Sequence, residues 1–121
     1  MKVRYVLLIL AFMLAAACGS SSSPSTTAPT TTTGTRVSIV SGSSTMTTTA
    51  YAPNPVTVAV GGTVTWTNND SVAHNSVGTN GAWNSGTIQP GGSLSMTFPS
   101  SGSFPYHCSI HPGMVGTVTV Q

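Results

Sequence analysis

Residues 104–120 read F-P-Y-H-C-S-I-H-P-G-M-V-G-T-V-T-V. Cys108, His111 and Met114 fall in it at C-x2-H-x2-M spacing. A thiolate, an imidazole and a thioether are soft or borderline donors, and together they suit copper better than magnesium or calcium. Strand patterns flank the ligand string on both sides. Phe104, Tyr106 and Cys108 share one face of a period-two run, and Val118 and Val120 share a face of the closing run.

A copper site with these donors takes two imidazoles, one thiolate and a weak axial thioether, so a second histidine has to come from elsewhere. His74 supplies it, in the segment N-D-S-V-A-H-N at residues 69–75, just after a strand-like run. With both segments in view, residues 36–121 resemble the small blue copper proteins, the cupredoxins, of the amicyanin-like and plastocyanin-like kind, with a ligand loop at the short spacing of the amicyanin type. The resemblance implies an all-β fold, a Greek-key β-sandwich binding one copper. Carried over position by position, it implies His74, Cys108 and His111 as equatorial ligands and Met114 as the axial one. It also implies that the Asn75 side chain ties the two ligand loops together and that the Asn75 amide donates to the Cys108 sulfur. One position departs from the family pattern. The second residue after the cysteine is typically Pro in such loops, whereas here it is Ile110. Its amide is free to donate a second hydrogen bond toward the sulfur.

The chain upstream supports the sandwich. Val37 and Ile39 alternate with polar residues, as do Val56, Val58 and Val60 up to Gly61. Val64 and Trp66 follow, and Leu94, Met96 and Phe98 come after the turn signal Pro90-Gly91-Gly92. Short alternating strands punctuated by Gly, Pro and Asn argue for two packed sheets. The alternation aims Cys108 inward at a strand end and its neighbour His107 outward. The stretch 78–86, which carries Trp83, shows no period.

The first 18 residues read as a targeting segment. Lys2 and Arg4 precede an apolar run over 5–14, and Ala15, Ala16 and Ala17 lead into Cys18. This end resembles a bacterial lipobox, with Cys18 as the lipidated mature N-terminus, although the Leu that usually stands three before the Cys is one position further back, at Leu14. Ordinary secretory cleavage near Ala17 is the alternative. The apolar run is short for a membrane span. Residues 19–35 are rich in Ser, Thr and Pro and are expected to form a disordered linker to the copper domain at 36–121.

Charge narrows the function. Lys2, Arg4, Arg36 and Asp70 are the charged side chains, and loss of the signal leaves one of each sign. A near-neutral domain lacks the basic stripe of a nucleic-acid reader and offers no long-range steering. If Cys18 is lipidated, Cys108 has no disulfide partner. An unpaired thiol in an oxidising compartment is a liability unless a metal occupies it.

The resemblance implies an electron carrier, and the targeting segment adds the expectation that it is exported, periplasmic or at the cell surface, lipid-anchored through Cys18, and monomeric. It would meet a redox partner through the uncharged patch around His111. Four side-chain ligands leave no open position for a substrate, which argues against an enzyme. The alternative is a copper chaperone or storage module with no redox partner.

Overall fold

The computed structural model describes residues 34–121. The targeting segment with Cys18, and the linker up to residue 33, lie outside the described residues. The first strand, β1 (Thr35–Ile39), begins one residue before the expected domain boundary.

Seven further strands follow: β2 (Tyr51–Ala52), β3 (Val56–Val58), β4 (Gly62–Asn68), β5 (Val77–Gly78), β6 (Ser93–Phe98), β7 (Gly102–His107) and β8 (Val115–Val120). They form two four-stranded sheets, in the orders β2-β1-β4-β6 and β3-β8-β7-β5. From β2 to β7 the chain changes sheet at every step. The pairs β1–β4 and β3–β8 are parallel, and the other pairs antiparallel. Among the described residues the only helical element is a 3-10 turn at Ser43–Thr45.

Alternation sorts the two faces of each strand. In β4, Val64, Trp66 and Asn68 are buried while Thr63, Thr65 and Thr67 face outward. The outward hydroxyls meet partners on β6: Thr63 with Thr97 at 3.0 Å, Thr65 with Ser95 at 2.7 Å and Thr67 with Ser93 at 2.8 Å. Such cross-strand hydroxyl pairs help set the register. Inward, Val37, Ile39, Val64, Trp66 and Phe98 of one sheet pack with Val56, Val58, Tyr106, Val118 and Val120 of the other. At the sandwich centre Trp66 and Tyr106 meet edge to face, with ring centroids 5.4 Å apart.

Two local features follow from residue chemistry. The Pro90-Gly91 turn closes through Gly92 N–H donating to Gln89 O at 2.8 Å, with Gly91 at φ 78. Pro at the second and Gly at the third position is the type II signature. On β8, Gly116 stands opposite Tyr106, and a Cβ there would lie 2.8 Å from Tyr106 Cε1. The tyrosine ring needs that strand position to be bare.

The strand expected through Val60 ends at Val58. Gly62 N–H donates to Ala59 O at 2.8 Å in a turn that leaves Val60 53% exposed. The aperiodic stretch around Trp83 is a loop whose indole is buried in the core, its N–H donating to Ser76 Oγ at 3.1 Å. Met96, on β6, is only partly buried.

Candidate metal centre

Two loops at one end of the sandwich build the centre. The first leaves β4 and carries His74; the second joins β7 to β8 and carries Cys108, His111 and Met114.

Asn68, the last residue of β4, shapes the first loop from inside. It is fully buried. Its Nδ2 donates to Val72 O at 2.8 Å and Ile88 O at 2.9 Å, and its Oδ1 accepts from Asp70 N–H at 2.9 Å. His74 then exchanges backbone hydrogen bonds with Ile88, at 3.2 and 2.7 Å. Its backbone is thus tied to a neighbouring segment before its side chain makes any contact.

The second loop is short and closed on itself. Cys108 N–H donates to Met114 O at 3.1 Å, and Met114 N–H to His111 O at 3.0 Å. Cys108 and Met114 are fully buried, while His111 is half-exposed. Ile110, Pro112 and Gly113 around it are exposed.

The loops bring three donor atoms together. His74 Nδ1 lies 3.8 Å from Cys108 Sγ, His111 Nδ1 lies 4.0 Å from the same sulfur, and the two nitrogens are 3.1 Å apart. His74, Cys108 and His111 form the cluster of possible metal ligands among the described residues, with ligand atoms within 4.8 Å of one another. Donors that share one first-row ion at about 2.0–2.3 Å each must have separations of this size. A thiolate with two imidazoles also has the softness copper favours. Met114 sits at the end of the same loop, packed in the core cluster. His107 lies outside the cluster, half-buried on β7 between Val77 and Val115.

Asn75 joins the loops. Its Oδ1 accepts from Ser109 N–H at 2.8 Å and its Nδ2 donates to Ser109 Oγ at 2.7 Å. Ser109 directly follows the cysteine, so this two-point clasp fixes Cys108 relative to His74. Neither the Asn75 amide nor the Ile110 amide is hydrogen-bonded to Sγ among the described residues. The second sulfur donor expected from Ile110 is therefore not formed here. A loop that closes on Met114 O and His111 O need not aim that N–H at the sulfur.

Three participants were not singled out from the sequence. Tyr51, on β2, donates its hydroxyl to Asn75 O at 2.7 Å. Burial above all, with the charge of Cys108 beside it, holds its phenol protonated far above the usual range. Asp70 Oδ2 lies 2.9 Å from His74 Nε2, and Ser43 Oγ lies 3.1 Å from the same nitrogen. The Gly42 N–H first, then His74, Ser71 and Ser43, hold the Asp70 carboxyl well below the ordinary carboxylate range, against the opposing effect of burial. The signal for Asp70 was present: it is the only acid in the chain and stands four residues before the histidine. Ser43 and Tyr51 carried no such mark, because their contacts span 31 and 24 residues.

Residues 36–121 match the family described as "Copper binding proteins, plastocyanin/azurin family". The chain is 37% identical to the plastocyanin of Scenedesmus fuscus over 84 residues, covering 59% of this chain and 86% of that protein. It is 34% identical to the amicyanin of Paracoccus denitrificans over 76 residues, and spans 58% of that protein's length and 59% of its own. Among solved structures, a purple cupredoxin from Nitrosopumilus maritimus is similar at a TM-score of 0.66 and 37% identity, over 72% of this chain and 99% of that one. A reduced, Cu(I) form of an amicyanin variant is similar at 0.61 and 30%, over 74% and 83%. Sandwich, donor cluster and relatives agree: the chain belongs to the plastocyanin/azurin family of copper-binding proteins, the cupredoxins, and copper is its metal.

Proposed function

We propose that this protein carries single electrons between redox partners through a type 1 copper centre held by His74, Cys108, His111 and the axial Met114. The observation that carries the reading is the graded burial of the cluster. Cys108 and His74 are fully enclosed, while His111 is half-exposed among uncharged residues. Copper, when bound, supplies a one-electron couple.

The chain's own residues supply what that couple needs. Asn68 and Ile88 hold the His74 loop, and the Asn75–Ser109 clasp holds the cysteine loop, so the donor atoms stay close to one arrangement. Burial keeps water from the thiolate. The outer edge of His111, set among Ile110, Pro112 and Gly113, is the short route between the centre and a docked partner. The neutral composition suits docking through such a patch. The same enclosure supports carriage over storage, since a storage site has to exchange its metal. We further propose export and a lipid tether at Cys18, supported by the basic and apolar pattern of residues 1–18.

The test is an optical spectrum and a voltammogram of the full-length protein loaded with one equivalent of Cu(II). An intense visible thiolate band with a reversible one-electron wave is expected. One relative is described as purple, so the intensity of the band matters and not its hue. A weakly coloured complex, or the absence of a reversible wave, would overturn the reading.

A further inference from the structure

The only acidic side chain of the sequence is buried beside the metal centre. Both of its oxygens are fully engaged. Asp70 Oδ1 accepts from Gly42 N–H at 2.9 Å and from Ser71 N–H at 2.8 Å. Asp70 Oδ2 accepts from the Ser43 hydroxyl at 3.2 Å and lies 2.9 Å from His74 Nε2. The side chains of His74 and Asp70 are 0% and 4% exposed. Ser43 is also fully buried, and its Oγ lies 3.1 Å from the same Nε2.

An ionised carboxylate has no proton to give. A 2.9 Å contact with it therefore places the imidazole hydrogen on Nε2, shared between Asp70 Oδ2 and Ser43 Oγ. With that hydrogen on Nε2, the neutral form of the ring has its bare lone pair on Nδ1, the nitrogen that faces Cys108 Sγ and His111 Nδ1. Orientation alone does not call for a charge here, since a backbone carbonyl or a hydroxyl could accept the same hydrogen. A charge that loses water is costly unless hydrogen bonds replace it. Gly42 and Ser43, from a loop remote in sequence, provide them.

We propose that Asp70, held by Gly42 and Ser43, is a positioning residue that locks His74 with Nδ1 toward the metal and biases the centre toward its oxidised state. Two effects act in the same direction. A negative charge one imidazole away attracts the more highly charged ion more strongly. A hydrogen bond from Nε2 to a carboxylate also makes the opposite nitrogen a stronger donor. This rests on the reading of the cluster as a copper centre, and the experiment separates the two.

The first measurement needs no copper. The nitrogen chemical shifts of His74 in the metal-free, full-length protein should show hydrogen on Nε2. The second compares reduction potentials of the parent, Asp70→Asn and Ser43→Ala in their copper-loaded forms. Asp70→Asn keeps the shape and removes the charge. The intense band should persist, and the preference for the oxidised ion should fall about tenfold, which is about 59 mV upward for one electron. Affinity for Cu(II) should fall about 10–100-fold. Ser43→Ala should shift the potential the same way by less, and it decides the matter if Asp70→Asn does not fold. Hydrogen on Nδ1 of His74, or lower melting temperatures with unchanged potentials in both variants, would overturn the proposal by reducing Asp70 to a loop brace. A parent without the intense band would overturn the copper-centre reading instead, whatever the tautomer.

Discussion

The two imidazoles of the centre present the same atom to the same place, with their Nδ1 nitrogens 3.1 Å apart, yet their surroundings differ in almost every respect. His74 is fully buried, its backbone paired with Ile88 and its Nε2 gripped by Asp70 and Ser43. His111 is half-exposed, and among the described residues its side-chain polar contacts are the two cluster atoms, Cys108 Sγ and His74 Nδ1. The His74 loop is organised by buried polar groups that are satisfied on every side, and such networks rigidify a structure. The His111 loop is short, closed by backbone bonds and apolar at its tip. The contrast teaches that one half of the site is built to hold geometry and the other to be reached from outside.

The severest way to break the comparison is to remove the donor that both halves share. Cys108→Ser should abolish the intense visible band and weaken copper binding, because the soft thiolate is lost. Metal titration with optical detection checks this. Retention of the band would mean that the sulfur is not the chromophore.

Next in size is a change confined to the buried half. Asn68→Ala leaves the Val72 carbonyl and the Asp70 amide without partners and takes from the Ile88 carbonyl one of its two donors. Each unsatisfied buried group costs about 1–3 kcal/mol, so a loss of about 2–4 kcal/mol in stability is expected after relaxation. Denaturant melts read at constant slope measure it. A change within about 0.5 kcal/mol, the range of ordinary surface substitutions, would mean that the His74 loop is held by something else.

Met114→Leu probes the buried end of the cysteine loop. The swap nearly conserves volume, so it should cost less than about 1.5 kcal/mol. On the proposed axial role of Met114, the intense band should remain and the reduction potential should rise, because only a weak donor is removed. If neither spectrum nor potential moves, Met114 is a packing residue.

The smallest effect is expected at the exposed tip. Ile110→Pro removes an amide that is not hydrogen-bonded to Sγ, so the potential should stay where it is. A drop of about 40 mV, equivalent to a hydrogen bond of about 1 kcal/mol, would show that the amide turns to the sulfur once copper is bound.

Much of this molecule is determined by local sequence. Strand positions such as Val64 and Trp66, or Phe104 and Tyr106, declare themselves because period two is a property of the backbone and needs no partner to be seen. The Pro90-Gly91 turn is legible for the same reason, since fixed φ at one residue and positive φ at the next are intrinsic to those side chains. The candidate ligand string 108–114 is legible because donors drawn from one short loop to one ion must keep a fixed spacing. Even the clasp by Asn75 could be anticipated, through resemblance. Tertiary structure alone decided what stands behind the ligands. Strands β2 and β5, two residues each, are too short to show a period and exist only because a neighbour pairs with them. Trp83 enters the core from a loop with no pattern. Asp70 was visible as a lone acid, but its grip on His74 depends on Gly42 and Ser43, 28 and 27 residues away. A hydrogen bond requires atoms to meet within about 3 Å and in the right direction. Composition and spacing carry no information on that for residues so far apart, and the packing of the two sheets supplies it.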